Sequence, residues 1–303
     1  MKIIFLLKLI CILLSIAYFT LSERKILSLS QLRLGPNKTS LLGVIQPVLD
    51  GLKLLKKVLV TPMNMMYFFL VMNSIMMFSI SLLLWFLFPF FSNINKNSFL
   101  LWLLLLFGFL SYFILLIGWS SVSKFSYLGG VRGLSQSLSF EVLVLLIVSY
   151  PFLLKNTSLL CVNYYSLLNN VYILLFFIIS ILECQRAPMD LSEGESELVS
   201  GYNIEMSSLM FIFIFLSEYN SMIFLMSIMW LIFMKINIFL LLISLMLVLL
   251  IRSCFPRLRY DYLMTLFWLK ILPLLIISYN ILMNLKNFSF MKNTLNNLNL
   301  LMK

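Results

Sequence analysis

Four glutamates stand inside or beside long apolar runs: Glu141 in SLSFEVLVLLIVSY, Glu183 closing VYILLFFIISILE, Glu218 in FIFIFLSEYNSMIFL, and Glu205 shortly before it. An ionised acid at the centre of a membrane helix costs about 2.5–3.5 kcal/mol. Such groups are therefore protonated, paired, or joined to water within the protein. Together they could form a buried polar path that passes protons. Neutral glutamic acids that hydrogen-bond helices together would satisfy the same residues.

A second acidic group is crowded into one short segment, Met189-Asp190-Leu191-Ser192-Glu193-Gly194-Glu195-Ser196-Glu197. Ser192 with Glu195 three residues on has the form of a capping box, which predicts the start of a short helix. Glu193 and Glu197 would then share a helix face at i,i+4, where like charges repel. Repulsion and desolvation beside lipid favour holding a proton, so this segment could store protons or respond to a charge nearby. A solvated acidic loop is the plainer alternative, but the chain leaves and re-enters apolar sequence within a few residues.

The basic residues are grouped as well. Arg252-Ser253-Cys254-Phe255-Pro256-Arg257-Leu258-Arg259-Tyr260-Asp261 could pair with the acidic segment, because a guanidinium keeps its charge at low dielectric. It could equally anchor the last span. Most spans hold no Lys or Arg to neutralise the buried acids, Lys270 in the last span being an exception. In the first loop, Gly35-Pro36-Asn37 marks a turn. From Pro47 onward Val48, Leu52, Leu55 and Leu59 fall on one side, with Asp50, Lys53 and Lys57 on another. That spacing predicts an amphipathic helix lying along a membrane surface, acting at least as a connector anchored among headgroups.

These residues need a scaffold, and composition names its solvent. Hydrophobic residues are 62% of the chain and charged ones 11%, too apolar a surface for a water-soluble domain of this length. At roughly 20 residues per span, the runs predict an all-α integral membrane protein of about eight transmembrane helices plus the surface helix. The spans fall near 3–21, 65–91, 98–119, 134–154, 171–184, 207–233, 236–254 and 262–284, in one membrane domain over 1–284 with a tail at 285–303. The first run lacks a small-residue cleavage site and reads as a span, not a removable leader. Alternating the loops puts 22–64, 120–133, 185–206 and 255–261 on one face. That face collects every loop arginine and every acid outside the spans, and the positive-inside rule makes it the matrix or cytoplasmic side. The net charge of +11 thus reflects orientation and lipid contact, and nucleic acid is not an expected partner.

Absences narrow the chemistry. With no histidine and four cysteines scattered at Cys11, Cys161, Cys184 and Cys254, neither haem, metal nor cluster ligation is expected. Gly129-Gly130-Val131-Arg132-Gly133 lacks the spacing and preceding strand of a phosphate loop. Alanine occurs only at Ala17 and Ala187, while Phe, Ile, Asn, Lys and Met abound. This is the mark of an A/T-rich coding sequence, such as that of a small organelle genome.

The four charged-face segments read SERKILSLSQLRLGPNKTSLLGVIQPVLDGLKLLKK, YLGGVRGLSQSLSFEV, ECQRAPMDLSEGESELVSGYNIE and PRLRYDYLM. In content and order they resemble the signature loops of the NADH dehydrogenase subunit 1 family of respiratory complex I. The resemblance implies a core membrane subunit of the proton-pumping NADH:ubiquinone oxidoreductase, in the mitochondrial inner membrane with its charged loops in the matrix. It implies ubiquinone as substrate, and partner subunits of the peripheral and membrane arms that carry the iron–sulfur clusters and FMN. Carried over by position, Arg24, Arg33, Asp50, Lys53, Phe215, Arg257 and Arg259 fall on the quinone tunnel or its entrance. Asp190, Glu193, Glu195 and Glu197 fall on an acidic coupling loop, and Glu141, Glu183, Glu205 and Glu218 on a buried proton relay. The chain departs from the family in Gln185-Arg186-Ala187-Pro188, where Asn-Arg-Thr-Pro is usual, and at Val58, where the family carries an acid. A membrane subunit of a related hydrogenase complex, or a stand-alone cation- or proton-coupled transporter, would use similar acids. The sequence shows no internal repeat of the kind transporters carry.

Overall fold

A computed structural model of the chain describes residues 2–39, 41–57, 66–87, 96–154, 167–183, 185–192, 194, 198–233, 238–281 and 284. Among these residues the regular structure is helical throughout. Lipid offers the backbone no hydrogen-bond partner, so an apolar segment satisfies itself as a helix. The elements are α1 (Lys2–Ser30), a surface helix α2 (Gln46–Lys56), α3 (Tyr67–Leu84), α4 (Lys96–Ser120), α5 (Lys124–Leu154), α6 (Leu167–Glu183), α7 (Ser208–Phe233), α8 (Ile238–Cys254) and α9, which starts with Tyr260–Leu266. A π turn at Phe267–Ile271 interrupts α9, and the apolar helix as a whole extends over Tyr260–Ile281. Six helices among the described residues are long and apolar enough to cross a membrane, and Asn170–Glu183 and Ile238–Cys254 are shorter apolar helices.

Two boundaries lie well outside the spans read from hydropathy. Helix α1 continues through Glu23, Arg24 and Lys25 to Ser30, about 44 Å at 1.5 Å per residue. Apolarity ends at residue 21, but no Gly or Pro follows before Gly35-Pro36, so nothing in the chain stops the helix there. Helix α5 begins at Lys124, ten residues before its apolar run, and takes in Gly129, Gly130 and Gly133. Ser123 precedes it and its Oγ accepts the Ser126 N–H at 3.4 Å, a capping arrangement.

Several glycines are packing sites. A Cβ on Gly118 would lie 3.1 Å from the Gly130 Cα and 2.7 Å from the Ser126 carbonyl oxygen, so α4 and α5 touch backbone to backbone. One on Gly129 would lie 2.6 Å from the Tyr202 nitrogen. Small residues permit this approach between membrane helices. Gly129→Ala should therefore destabilise the fold by about 1–3 kcal/mol, a usual overpacking cost, read as a lower unfolding temperature of the purified assembly. An unchanged temperature would mean that the 129–202 contact is not tight.

Helix α7 is buried on nearly every side from Ser217 to Phe233. It joins both hydrophobic clusters, one built with α3 to α6 and α9, the other with α1 and α8. A helix that is apolar all round belongs in the interior, and this one carries Glu218 into it. Helix α2 has no buried residue: Val48, Leu52 and Leu55 are each about half exposed. Its apolar side is left half exposed and its Asp50 turns to Arg24 of α1, the two-sided character of an amphipathic surface helix. Leu59 lies outside the described residues.

Candidate functional site

The loop after α6 is the hub, and α5 holds it. The buried Gln136 amide donates to the carbonyls of Leu182 (2.9 Å) and Met189 (3.2 Å), clamping both ends of the turn. Inside it, the Ser192 hydroxyl donates to Gln185 Oε1 at 3.0 Å. The turn is tied outward where the Leu258 N–H donates to the Pro188 carbonyl at 2.9 Å and Arg257 comes within 3.9 Å of the buried Asp190.

This clamp directs Arg186 into the protein. Its Nη2 donates to Glu218 Oε2 at 2.5 Å, with only 17% of the Arg186 side chain and 6% of the Glu218 side chain exposed. The same guanidinium lies 5.1 Å from the Phe215 ring centre and 4.9 Å from that of Tyr219, within cation–π range. The Tyr202 hydroxyl donates to the other oxygen of Glu218. Tyr219 in turn donates to Glu23 Oε2 at 2.5 Å, and Arg252 pairs with Glu23 Oε1. Glu23, Arg186, Tyr219 and Arg252 line one small cavity. Five segments far apart in sequence, around Glu23, Arg186, Tyr202, Glu218 and Arg252, thus form one connected polar network.

On its other side Glu218 opens onto a cavity of about 30 Å³ shared with Glu183, where Ser111, Ser137, Gln185, Ser217 and Ser221 face Met77, Phe107, Leu110 and Ile114. A polar cavity needs roughly 10–15 Å³ to hold a water. A second cavity of about 10 Å³ connects Glu183 with Glu141 among Leu103, Leu104, Phe107 and Val144. Glu183 Oε2 and Glu141 Oε1 are buried with no protein hydrogen-bond partner. A buried orphan oxygen costs about 1–3 kcal/mol, a cost that a bridging water removes. The three acids thus lie in a row, Glu218 and Glu183 sharing the first cavity and Glu183 and Glu141 the second, smaller and apolar one.

The other anticipated residues divide. Arg24 pairs with Asp50, which also accepts from the Gln46 amide at 2.9 Å, joining α1 to α2. Phe215 stacks on Phe211 (5.9 Å) and meets Tyr219 at a tilt (4.5 Å). Arg33 and Lys53 are exposed. Arg259 is exposed and pairs with its neighbour Asp261 at 3.3 Å, a surface contact of little energetic weight. Glu205 is half-buried and lines neither cavity of the carboxylate row. Glu193, Glu195 and Glu197, with the capping box and the Val58 position, lie outside the described residues. The cation for Glu218 comes from outside the spans: Arg186, in the loop after α6, folds inward to pair with it, and Arg252 near the end of α8 pairs with Glu23, whereas Lys270 is exposed.

Sequence reasoning did not single out Glu23, Gln136, Arg186, Tyr202, Tyr219 or Arg252 as site residues. Spacing held a partial signal: Phe211, Phe215 and Tyr219 repeat at four residues beside Glu218, which marks one helix face. Nothing local pointed Tyr202 toward Glu218.

Fold and site together define a polytopic membrane protein with ionisable groups built into its interior and cross-linked by arginine at one end. Residues 2–283 match the family described as NADH dehydrogenase, and the chain belongs to that family. The chain is similar to NADH-ubiquinone oxidoreductase chain 1 of Aedes aegypti, 35% identical over 285 residues covering 89% of this chain and 90% of that protein. It is likewise 37% identical to that of Locusta migratoria over 89% and 90%, and 36% identical to that of Arabidopsis thaliana over 87% and 90%. These relatives are subunits of an oxidoreductase complex.

Proposed function

We propose that this chain admits ubiquinone from the bilayer in an NADH:ubiquinone oxidoreductase and passes the consequence of quinone reduction into a carboxylate relay. The observation that carries the reading is Arg186, whose guanidinium touches the aromatic face of Phe215 and Tyr219 and also holds Glu218, the first acid of the row. A charge change beside the aromatic face alters the field on Arg186, hence on Glu218, Glu183 and Glu141. Water-sized gaps then let protons follow.

The path for the quinone runs from the α1–α2 corner, where Arg24 pairs with Asp50 and Lys53 and Arg33 lie exposed, toward Phe215. Stacked rings suit an isoprenoid tail, and the Arg24 guanidinium suits a polar head. Asp190 with Arg257, together with Glu193, Glu195 and Glu197, forms the acidic segment that registers the charge of the reduced quinone; Arg259 lies beside it. Electrons come from a redox centre in a partner subunit of the peripheral arm, docked on the charged face. That face is the matrix side of the mitochondrial inner membrane.

A ubiquinone with a photoreactive tail group, irradiated in the purified native assembly, should label peptides containing Arg24, Arg33 or Phe215. Excess ubiquinone should abolish the label. Labelling confined to other subunits would end the tunnel reading and favour a proton-coupled transporter built on the same acids.

A further inference from the structure

Glu218 differs from the other two acids of the row. Glu183 and Glu141 each keep an oxygen without a protein partner, whereas both oxygens of Glu218 are taken, Oε2 by Arg186 and Oε1 by Tyr202. We propose that Tyr202 is a positioning residue for the relay: its phenol fixes Glu218 as a carboxylate facing the cavity shared with Glu183, and so sets how readily that acid accepts a proton. The inference rests on the relay reading above.

The placement of Tyr202 is tightly determined. Its side chain is fully buried, on the short turn Gly201–Asn203 just before α7. The turn is pressed against α5 at Gly129, with no room for a Cβ between them. The turn itself is left-handed at Gly201 (φ 56°), a conformation glycine adopts at no steric cost. A phenylalanine ring would fill the same space, so the hydroxyl adds only its bond to Glu218. A hydrogen bond to a charged group is among the stronger kinds. The phenol and the guanidinium together fix the orientation of the Glu218 carboxylate, and Tyr202→Phe removes one of these two bonds.

The test is a double-mutant cycle in the assembled enzyme carrying this chain, with Tyr202→Phe, Glu218→Gln and both together. The readouts are quinone-linked turnover across pH and NADH oxidation by an artificial acceptor that bypasses quinone. Tyr202→Phe should change quinone-linked turnover by about tenfold, the equivalent of one charge-assisted hydrogen bond. It should displace the pH profile of that turnover and leave artificial-acceptor activity intact. In the Glu218→Gln background the same substitution should add nothing, since residues acting through one another are not additive. Additive losses, or an unmoved pH profile in Tyr202→Phe, would overturn the proposal while leaving the relay standing. Poor assembly of Tyr202→Phe that persists in the Glu218→Gln background would mark a structural role and overturn it too. No effect of Glu218→Gln alone would remove the relay itself.

Discussion

Glu183→Gln is expected to lower quinone-linked turnover of the assembled enzyme by about a hundredfold, the low end of what a proton-transferring side chain contributes. Oxidation of NADH by an artificial acceptor should be unchanged. Glutamine keeps the shape and the polarity of the side chain but cannot carry a proton. Glu183 sits between the two cavities of the row and lines both, one with Glu218 and the other with Glu141. Its Oε2 has no protein partner, so the exchange breaks no bond at that atom and a structural cause for the loss is weak. Turnover and proton-to-electron ratio, measured in sealed vesicles, decide the matter. Near-normal values for both would make Glu183 a helix-joining neutral acid and would end the relay.

The largest loss of stability should follow Arg186→Met. It leaves Glu218 buried with the Tyr202 hydroxyl but without its cation, and breaking a buried pair from one side costs about 3–5 kcal/mol. Arg186 also loses its contacts with the Phe215 and Tyr219 rings, which at desolvated sites are worth up to about 2 kcal/mol. Thermal unfolding of the purified assembly, or the fraction of chain assembled, reports the effect. Adding Glu218→Gln should recover much of the stability, because the uncompensated charge disappears with it. If the double variant is as unstable as Arg186→Met alone, the cost lies in packing against the aromatic face and not in the ion pair.

The membrane class was readable from composition because lipid as solvent imposes its own rule on long apolar runs. The acids were readable for the opposite reason: Glu141, Glu183 and Glu218 conflict with their surroundings, and such conflicts mark function. Helix ends were less legible. Hydropathy reports where lipid stops, not where hydrogen bonding stops, so it ended α1 before Glu23 and began α5 after Gly133. That shift had chemical consequences. With residues 22–25 read as loop, Glu23 had no fixed direction; on a continuous helix it faces Tyr219 and Arg252. Arg186 and Tyr202 were illegible for another reason, since each reaches Glu218 through a tertiary contact with no sequence period. Gln136 lies in the same category, clamping a loop about fifty residues away.

The length of α1 bears on how the protein meets its bilayer. A helix of about 44 Å in a hydrocarbon layer of about 30 Å would ordinarily adapt to changes in lipid by leaning more or less. Here the far end is tethered twice in successive residues, Glu23 to α8 and Arg24 to α2. Thickening or thinning of the bilayer is therefore taken up at the opposite end, where Leu6, Leu7 and Ile10 stand exposed. The charged end keeps its register, and the aromatic and carboxylate groups assembled around it are insulated from the lipid composition of the membrane.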